Sequence, residues 1–133
     1  MGRVGEFEQL IAWQRARRLT VQVYTACRSG PLSGDFGLSR QMQRAAVSIM
    51  ANIAEGHERG SAREFVRFLS IAKASCAELR SHLYVAGDVG LLEVAAVDKL
   101  LADTAEVARL LGGLRRSVLA RSKPDPTDPP PGS

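Results

Sequence analysis

Apolar side chains recur every three or four residues through most of the chain, which is the spacing that places them on one face of an α-helix. The first such segment runs from Phe7 to about Arg28. The second runs from Ser39, the predicted N-cap, to about Gly56. Residues 29–37 lie between them and contain three glycines and a proline, so we expect a loop there.

The third segment begins at a capping box. In this motif the Ser61 hydroxyl accepts a hydrogen bond from a backbone amide, and Glu64 three residues later reaches back to the cap residue. Apolar positions then continue on one face as far as Ala86, and the glycines at residues 87–90 are expected to end the helix. This segment is the most strongly periodic part of the chain.

The fourth segment covers residues 93–121 and has two adjacent glycines, Gly112 and Gly113, in its interior. Because an interior glycine costs about 0.5–1 kcal/mol relative to alanine, the pair indicates either a weak point in the helix or a close approach by another backbone, and we favour the close approach. Four amphipathic segments joined by turns predict an all-α fold, an antiparallel up-down-up-down four-helix bundle over residues 7–121. Residues 122–133 are polar and rich in proline, which predicts a disordered tail.

The overall charge is positive. Across 133 residues, 18 Lys and Arg against 14 Asp and Glu give a net charge of +4, and 15 of the cations are arginine. Arginine pairs bidentately with phosphate, although GC-rich coding also raises arginine content. Cys27 and Cys76 lie on apolar helical positions without a CxxC partner, which predicts reduced core thiols. No window reaches the apolar length of a membrane span or a signal peptide, so we expect a soluble, cytoplasmic protein.

Few residues are suited to catalysis. The chain has no phosphate-binding loop, dinucleotide fingerprint, HExxH motif or nucleophile elbow. His57 and His82 are far apart and have no neighbours at metal-ligand spacing, so a metal site is not expected. Glu55 and Glu78 are conceivable as paired carboxylates, but di-iron bundles use Glu-x-x-His motifs that this chain lacks. We therefore expect a non-enzymatic protein without a cofactor.

Basic residues are the main functional candidates. An antiparallel bundle brings the turn between the second and third helices to the same pole as the end of the fourth. The predicted nucleic-acid contacts at this pole are Arg59, Arg63, Arg67, Arg115 and Arg116. The alternative is a solvated face that Glu58 and Glu64 partly neutralise. Because no aromatic residue interleaves with these arginines, binding would depend on the phosphate backbone or on shape.

Polar residues also border the apolar face of the second and third helices. Those of the second helix lie at steps of seven, four and three residues, which return to nearly the same angle. Since polar groups at the edge of a core need partners, we predict a hydrogen-bonded structural network within the bundle or with a neighbouring subunit. Its predicted members are Gln41, Ser48, Asn52, Glu55, Ser75 and Glu78.

The centre of the chain resembles a known family. Residues 41–56 read QMQRAAVSIMANIAEG, and the third helix follows with Ser61, Glu64 and Phe65. This combination is similar to the four-helix bundle proteins named for the intervening sequences of 23S ribosomal RNA genes, and the resemblance covers about residues 7–120. Ala74 stands where relatives often have glycine, which is a mild departure.

This resemblance implies a bundle that assembles into a ring, commonly a pentamer. It also implies a relation to the accessory proteins of diversity-generating retroelements, which bind nucleic acid and a reverse transcriptase through a basic surface. The family has no agreed catalytic residue. The leading hypothesis is a homo-oligomer that binds structured RNA, or another nucleic acid, electrostatically. The alternative is an interaction scaffold or accessory subunit for a protein partner such as a reverse transcriptase.

Overall fold

A computed structural model describes residues 6–122, which contain four α-helices, two short 3-10 helices and no strand. The predicted all-α four-helix fold is therefore confirmed. The predicted disordered tail lies outside the described residues, except for Ser122. The four helices are α1 (Ile11–Cys27), α2 (Phe36–Glu58), α3 (Ala62–Asp88) and α4 (Val94–Arg121).

The helices form an antiparallel bundle in which α1 contacts α2 and α4, and α3 contacts α2 and α4. The Thr20 hydroxyl near the middle of α1 donates to the carbonyl of Ala46 at 3.2 Å, and Cys27 Sγ lies 3.7 Å from the carbonyl oxygen of Ser39. A later residue of α1 thus meets an earlier residue of α2. The same opposed order joins α2 to α3 and α3 to α4. The diagonal helices α1 and α3 consequently run parallel.

Aliphatic side chains fill the space between the helices. Leu32, in the 3-10 turn Gly30–Gly34 between α1 and α2, is fully buried and closes one end of the core. Burying one such side chain contributes about 1.5–3 kcal/mol relative to leaving it exposed. The largest fully buried residues of the helices include Leu19, Met42, Ile49, Ile53, Leu69, Leu79, Leu83 and Leu111.

The start of α2 differs from the prediction. The N-cap is Asp35, whose carboxylate accepts from the amide of Leu38 at 3.0 Å, so the assignment of Ser39 as the cap is wrong. Ser39 is buried, and its hydroxyl donates to the carbonyl of Leu32 at 2.8 Å. The 3-10 turn ends at Gly34, which brings Asp35 to the cap position four residues earlier than predicted.

The start of α1 also differs from the prediction, whereas the start of α3 agrees with it. A separate 3-10 turn occupies Phe7–Gln9, and Leu10 is extended, so α1 begins at Ile11 rather than at Phe7. The third helix begins after Ser61 as predicted, with the Ser61 hydroxyl accepting from the amide of Glu64 at 3.1 Å.

Gly56 lies inside α2 instead of ending it. A Cβ atom on Gly56 would lie 2.5 Å from Cβ of Phe68, so α3 packs against α2 at a distance that only glycine permits. The helix continues to Glu58, and Gly60 takes the left-handed conformation of the turn, with φ of +81°. The close approach expected from an interior glycine therefore occurs at Gly56.

At Gly112 and Gly113 the expected close approach of another backbone is absent among the described residues. The groups nearest to a Cβ on Gly112 would be Arg116 Nη1 at 3.5 Å and Lys73 Nζ at 3.9 Å. Both groups are the ends of flexible side chains. The helix α4 runs through the two glycines without interruption.

We predict that Gly56→Ala destabilises the fold while Gly112→Ala stabilises it. The first substitution forces α2 and α3 apart, and overpacking of this kind costs about 1–3 kcal/mol. The second removes an interior helix glycine where space is available, and should add about 0.5–1 kcal/mol. Urea unfolding of both variants and the wild type gives the free energies. Equal effects of the two substitutions would contradict the packing described at Gly56.

Candidate nucleic-acid interface

The arginines around the α2–α3 turn surround a phenylalanine ring. The guanidinium carbon of Arg59 lies 5.0 Å from the centroid of the Phe68 ring, and that of Arg67 lies 4.6 Å from it. Phe68 is only 6% exposed, so the ring carries the two cations and offers no surface to a base. The prediction that no aromatic residue interleaves with these arginines is therefore wrong. Phe68 directly follows Arg67 in the sequence, and it reaches Arg59 because α3 packs closely on Gly56.

Carboxylates from the same helices neutralise part of this cluster. Arg59 Nη2 lies 3.0 Å from Glu55 Oε1, and Arg67 Nε donates to Glu64 Oε2 at 2.7 Å. The hydrogen bond from Arg67 lowers the pKa of Glu64, and the same bond raises the pKa of Arg67. Exposed pairs of this kind contribute little to stability. They do mean that a phosphate arriving at Arg59 or Arg67 competes with a carboxylate.

The helix α4 adds cations next to α3. Arg115 Nε donates to Ser70 Oγ at 3.1 Å, one helical turn along α3 from Arg67. Arg116 folds back along its own helix, with Nη1 3.5 Å from the position of a Cβ on Gly112. The structure thus brings Arg115 alongside the basic face of α3, as the antiparallel topology predicted.

Two cations that sequence analysis did not select lie close to Arg115. Lys73 and Arg80 of α3 line a surface groove between α3 and α4, and Arg115 of α4 lines the same groove. The signal in the sequence is their spacing, because residues seven apart on a helix share a face. Which neighbouring helix that face borders depends on the packing of α3 against α4.

The predicted polar network forms in part. Ser48 Oγ and Ser75 Oγ are 2.9 Å apart and join α2 to α3. Asn52 Nδ2 donates to the carbonyl oxygen of Ser48 at 2.8 Å and to its hydroxyl at 3.0 Å. Ser75 is buried, and its hydroxyl is also 3.2 Å from the carbonyl oxygen of Ile71. These three residues form one connected structural unit.

The other three predicted members lie elsewhere. Gln41 is exposed at the start of α2. Glu55 is turned toward Arg59, and Glu78 is 57% exposed, with Oε1 3.5 Å from His82 Nε2. Each of these longer side chains extends toward solvent or toward a cation one turn away, so the stripe seen in the sequence splits into a buried part and an exposed part.

Both cysteines are buried and free, as predicted for core thiols. Burial raises the pKa of Cys27, and it raises the pKa of Cys76 to about 12. Among residues 6–122, no three His, Cys, Asp or Glu side chains are grouped so that they could hold a metal ion.

Comparison with known proteins identifies the family. Residues 8–113 match the family described as 23S rRNA-intervening sequence protein. The chain belongs to this family. A crystal structure from Bacteroides thetaiotaomicron, of a protein with unknown function from the S23 ribosomal protein family, superposes with a TM-score of 0.73 at 21% identity. The match covers 80% of this chain and 99% of that one, which shows a shared fold.

A search of curated proteins finds no match to this member of the family. In the part of the chain that the structure describes, no helix has the length and apolar content of a membrane span.

The raised pKa of Cys76 predicts a pH dependence of stability. The thiol stays protonated in the folded chain up to about pH 12, but once unfolded it ionises near its ordinary pKa of 9.0. Deprotonation therefore favours unfolding. The stability that the buried protonated thiol contributes is fully present below pH 9 and is lost as the pH rises toward 12. The free energy of unfolding should fall by at most about 1.4 kcal/mol per pH unit in this window.

Urea unfolding of the wild type and Cys76→Ala between pH 8 and about pH 11 measures this effect. The difference in stability between the two proteins should narrow or change sign as the pH rises. A constant difference would contradict the burial of Cys76 as the cause.

Proposed function

We propose that this protein is a non-enzymatic, homo-oligomeric bundle that binds structured RNA through a basic surface at one pole. The observation that carries the proposal is the grouping of arginines from three chain segments at one end of the bundle. Arg59 lies at the end of α2, Arg63 and Arg67 lie on the first turns of α3, and Arg115 and Arg116 lie near the end of α4. The net charge of +4 acts in the same direction.

Electrostatic binding to the phosphate backbone fits the chemistry of this surface. Guanidinium groups pair bidentately with phosphate oxygens, whereas the aromatic ring within the cluster is buried under two of them. Since base stacking requires an exposed ring face, the surface is suited to shape and charge rather than to sequence. Specificity would then follow the fold of the RNA.

The interior supports a structural role for the bundle. Aliphatic side chains occupy the core, and the Thr104 hydroxyl within it donates to the carbonyl of Leu100 at 2.6 Å. The polar contact of Ser48 with Ser75 joins two helices. These groups stabilise helix packing, which is the role we assign to them.

Assembly would multiply a weak surface. Ile11 and Val21 on α1 are 62% and 61% exposed. These apolar side chains are available for a contact between subunits. In the proposed ring, commonly a pentamer in this family, each subunit presents the same basic pole. Simultaneous contacts would raise the apparent affinity without stronger contacts in any one subunit.

The second candidate function is an interaction scaffold or accessory subunit for a protein partner such as a reverse transcriptase. It is favoured by apolar side chains at the pole opposite the arginines. Phe36 is 71% exposed, Val89 is 63% exposed and Val94 is 74% exposed, at the start of α2, the end of α3 and the start of α4. Large exposed apolar groups of this kind are typical of protein contacts.

We predict that charge reversal in Arg63→Glu/Arg67→Glu weakens binding to RNA hairpins of unrelated sequence by a similar factor. The control is Arg17→Glu/Arg28→Glu, which changes the same charge at two arginines stacked on Trp13 and Tyr24 of α1. Filter binding across a salt series gives the affinities and the salt slope. The wild type should lose affinity linearly with the logarithm of salt concentration.

Absence of wild-type binding at about 50 mM salt, or a slope near zero, would overturn the proposed RNA binding. Equal losses in the two double variants would show that net charge alone matters and would remove the basic pole as the site. A protein partner that stays bound after nuclease treatment and high salt would favour the scaffold. Cytoplasmic localisation remains part of the proposal and is tested by cell fractionation.

A further inference from the structure

A groove of about 420 Å³ runs along the surface between α3 and α4. Lys73 and Arg80 border it from α3, and Arg115 borders it from α4. Ala77 and Ala108 line the space between these cations. Because methyl side chains occupy so little volume, the groove stays open between its basic borders.

Arg115 and Lys73 each reach across the groove to the neighbouring helix. Arg115 Nε donates to Ser70 Oγ at 3.1 Å, which fixes the guanidinium against α3. Lys73 Nζ lies 3.9 Å from the position of a Cβ on Gly112, so its ammonium group reaches across to α4.

The groove cations differ from Arg59 and Arg67 of the basic pole in their partners. Within residues 6–122, no carboxylate lies within ion-pair distance of Lys73, Arg80 or Arg115. A phosphate entering the groove therefore displaces no carboxylate, whereas one binding a paired cation must do so. Among residues 6–122, cations paired with a carboxylate three or four residues away include Arg59, Arg67, Lys99 and Arg109.

The field of these charges reaches the buried thiol beside the groove. Burial raises the pKa of Cys76, and the charges of Arg80 and Lys73 act in the opposite direction. Both cations thus lie close enough to Cys76 for their charge to act on its thiol. This agrees with their position along one side of the groove.

The spacing of the cations allows more than one phosphate contact. Lys73 and Arg80 are seven residues apart, which is about 10 Å along a helix that rises 1.5 Å per residue. Because both side chains are long, they can reach separate phosphates of one strand. No aromatic side chain lines the groove in the described part of the chain, so it offers contacts to phosphate and none for stacking.

We propose that the α3–α4 groove binds the phosphodiester backbone of RNA, with Lys73, Arg80 and Arg115 contacting phosphates along one strand. This inference rests on the proposed RNA binding and extends the basic pole along α3. It places the strongest phosphate contacts at cations without a carboxylate partner.

The test compares Lys73→Gln/Arg80→Gln with Lys99→Gln/Arg109→Gln in binding to a labelled RNA hairpin. Both double variants remove one lysine and one arginine from helix surfaces, so they have the same net charge. In the control, the cations removed are those paired with Asp103 and Glu106. We expect the groove variant to lose about tenfold or more in affinity at low salt and the salt slope to fall by about two, while the control changes little.

A third variant, Ala77→Glu, adds a carboxylate to the groove without removing any cation, and should weaken binding through repulsion. Thermal unfolding monitored by circular dichroism establishes that each variant is folded. If the wild type binds the hairpin but the groove and control variants lose equal affinity, the groove assignment is overturned and the proposed function stands. If the wild type shows no salt-dependent binding, the proposed function itself fails.

Discussion

The contact between Gly56 and Phe68 is the constraint on which the position of the basic pole depends. Because α2 has no side chain at this point, α3 approaches closely enough for the Phe68 ring to be buried. That ring then carries Arg59 from one helix and Arg67 from the other. The packing of two apolar faces thus determines where the cations of the α2–α3 turn lie, and the surface charge follows from the core.

The cations near the α2–α3 turn and those of the α3–α4 groove differ in their chemistry. Those near the turn contact an aromatic ring and carboxylates. Their positions are therefore defined, and the carboxylates partly neutralise their charge. Those in the α3–α4 groove border small side chains and have their charge available to an external anion. Local salt bridges organise the first group, and the spacing between two helices organises the second. The cations with defined positions and the cations without a carboxylate partner therefore lie in different parts of one surface.

Helix periodicity and capping chemistry are local, which is why the four helices and the Ser61 cap were predictable from the sequence. Ser39 misled the prediction because its hydroxyl bonds to Leu32 across a turn whose shape the sequence does not specify. Gly56 looked like a helix end because only packing against Phe68 distinguishes an interior glycine from a terminal one. Arg59, Arg63 and Arg67 are close in sequence and were selected as candidate contacts for that reason. Lys73 and Arg80 lie near Arg115 only because α3 packs against α4, which the sequence does not show.

We propose that this bundle acts through cations on its surface, with those of the α3–α4 groove making the closest phosphate contacts. Arginine Nε–Hε resonances observed by NMR during titration with an RNA hairpin test this claim residue by residue. We expect the signals of Arg80 and Arg115 to shift first and furthest, while that of Arg109 stays in place. Equal shifts for Arg109 and the groove arginines, or no shift at any of them, would contradict it.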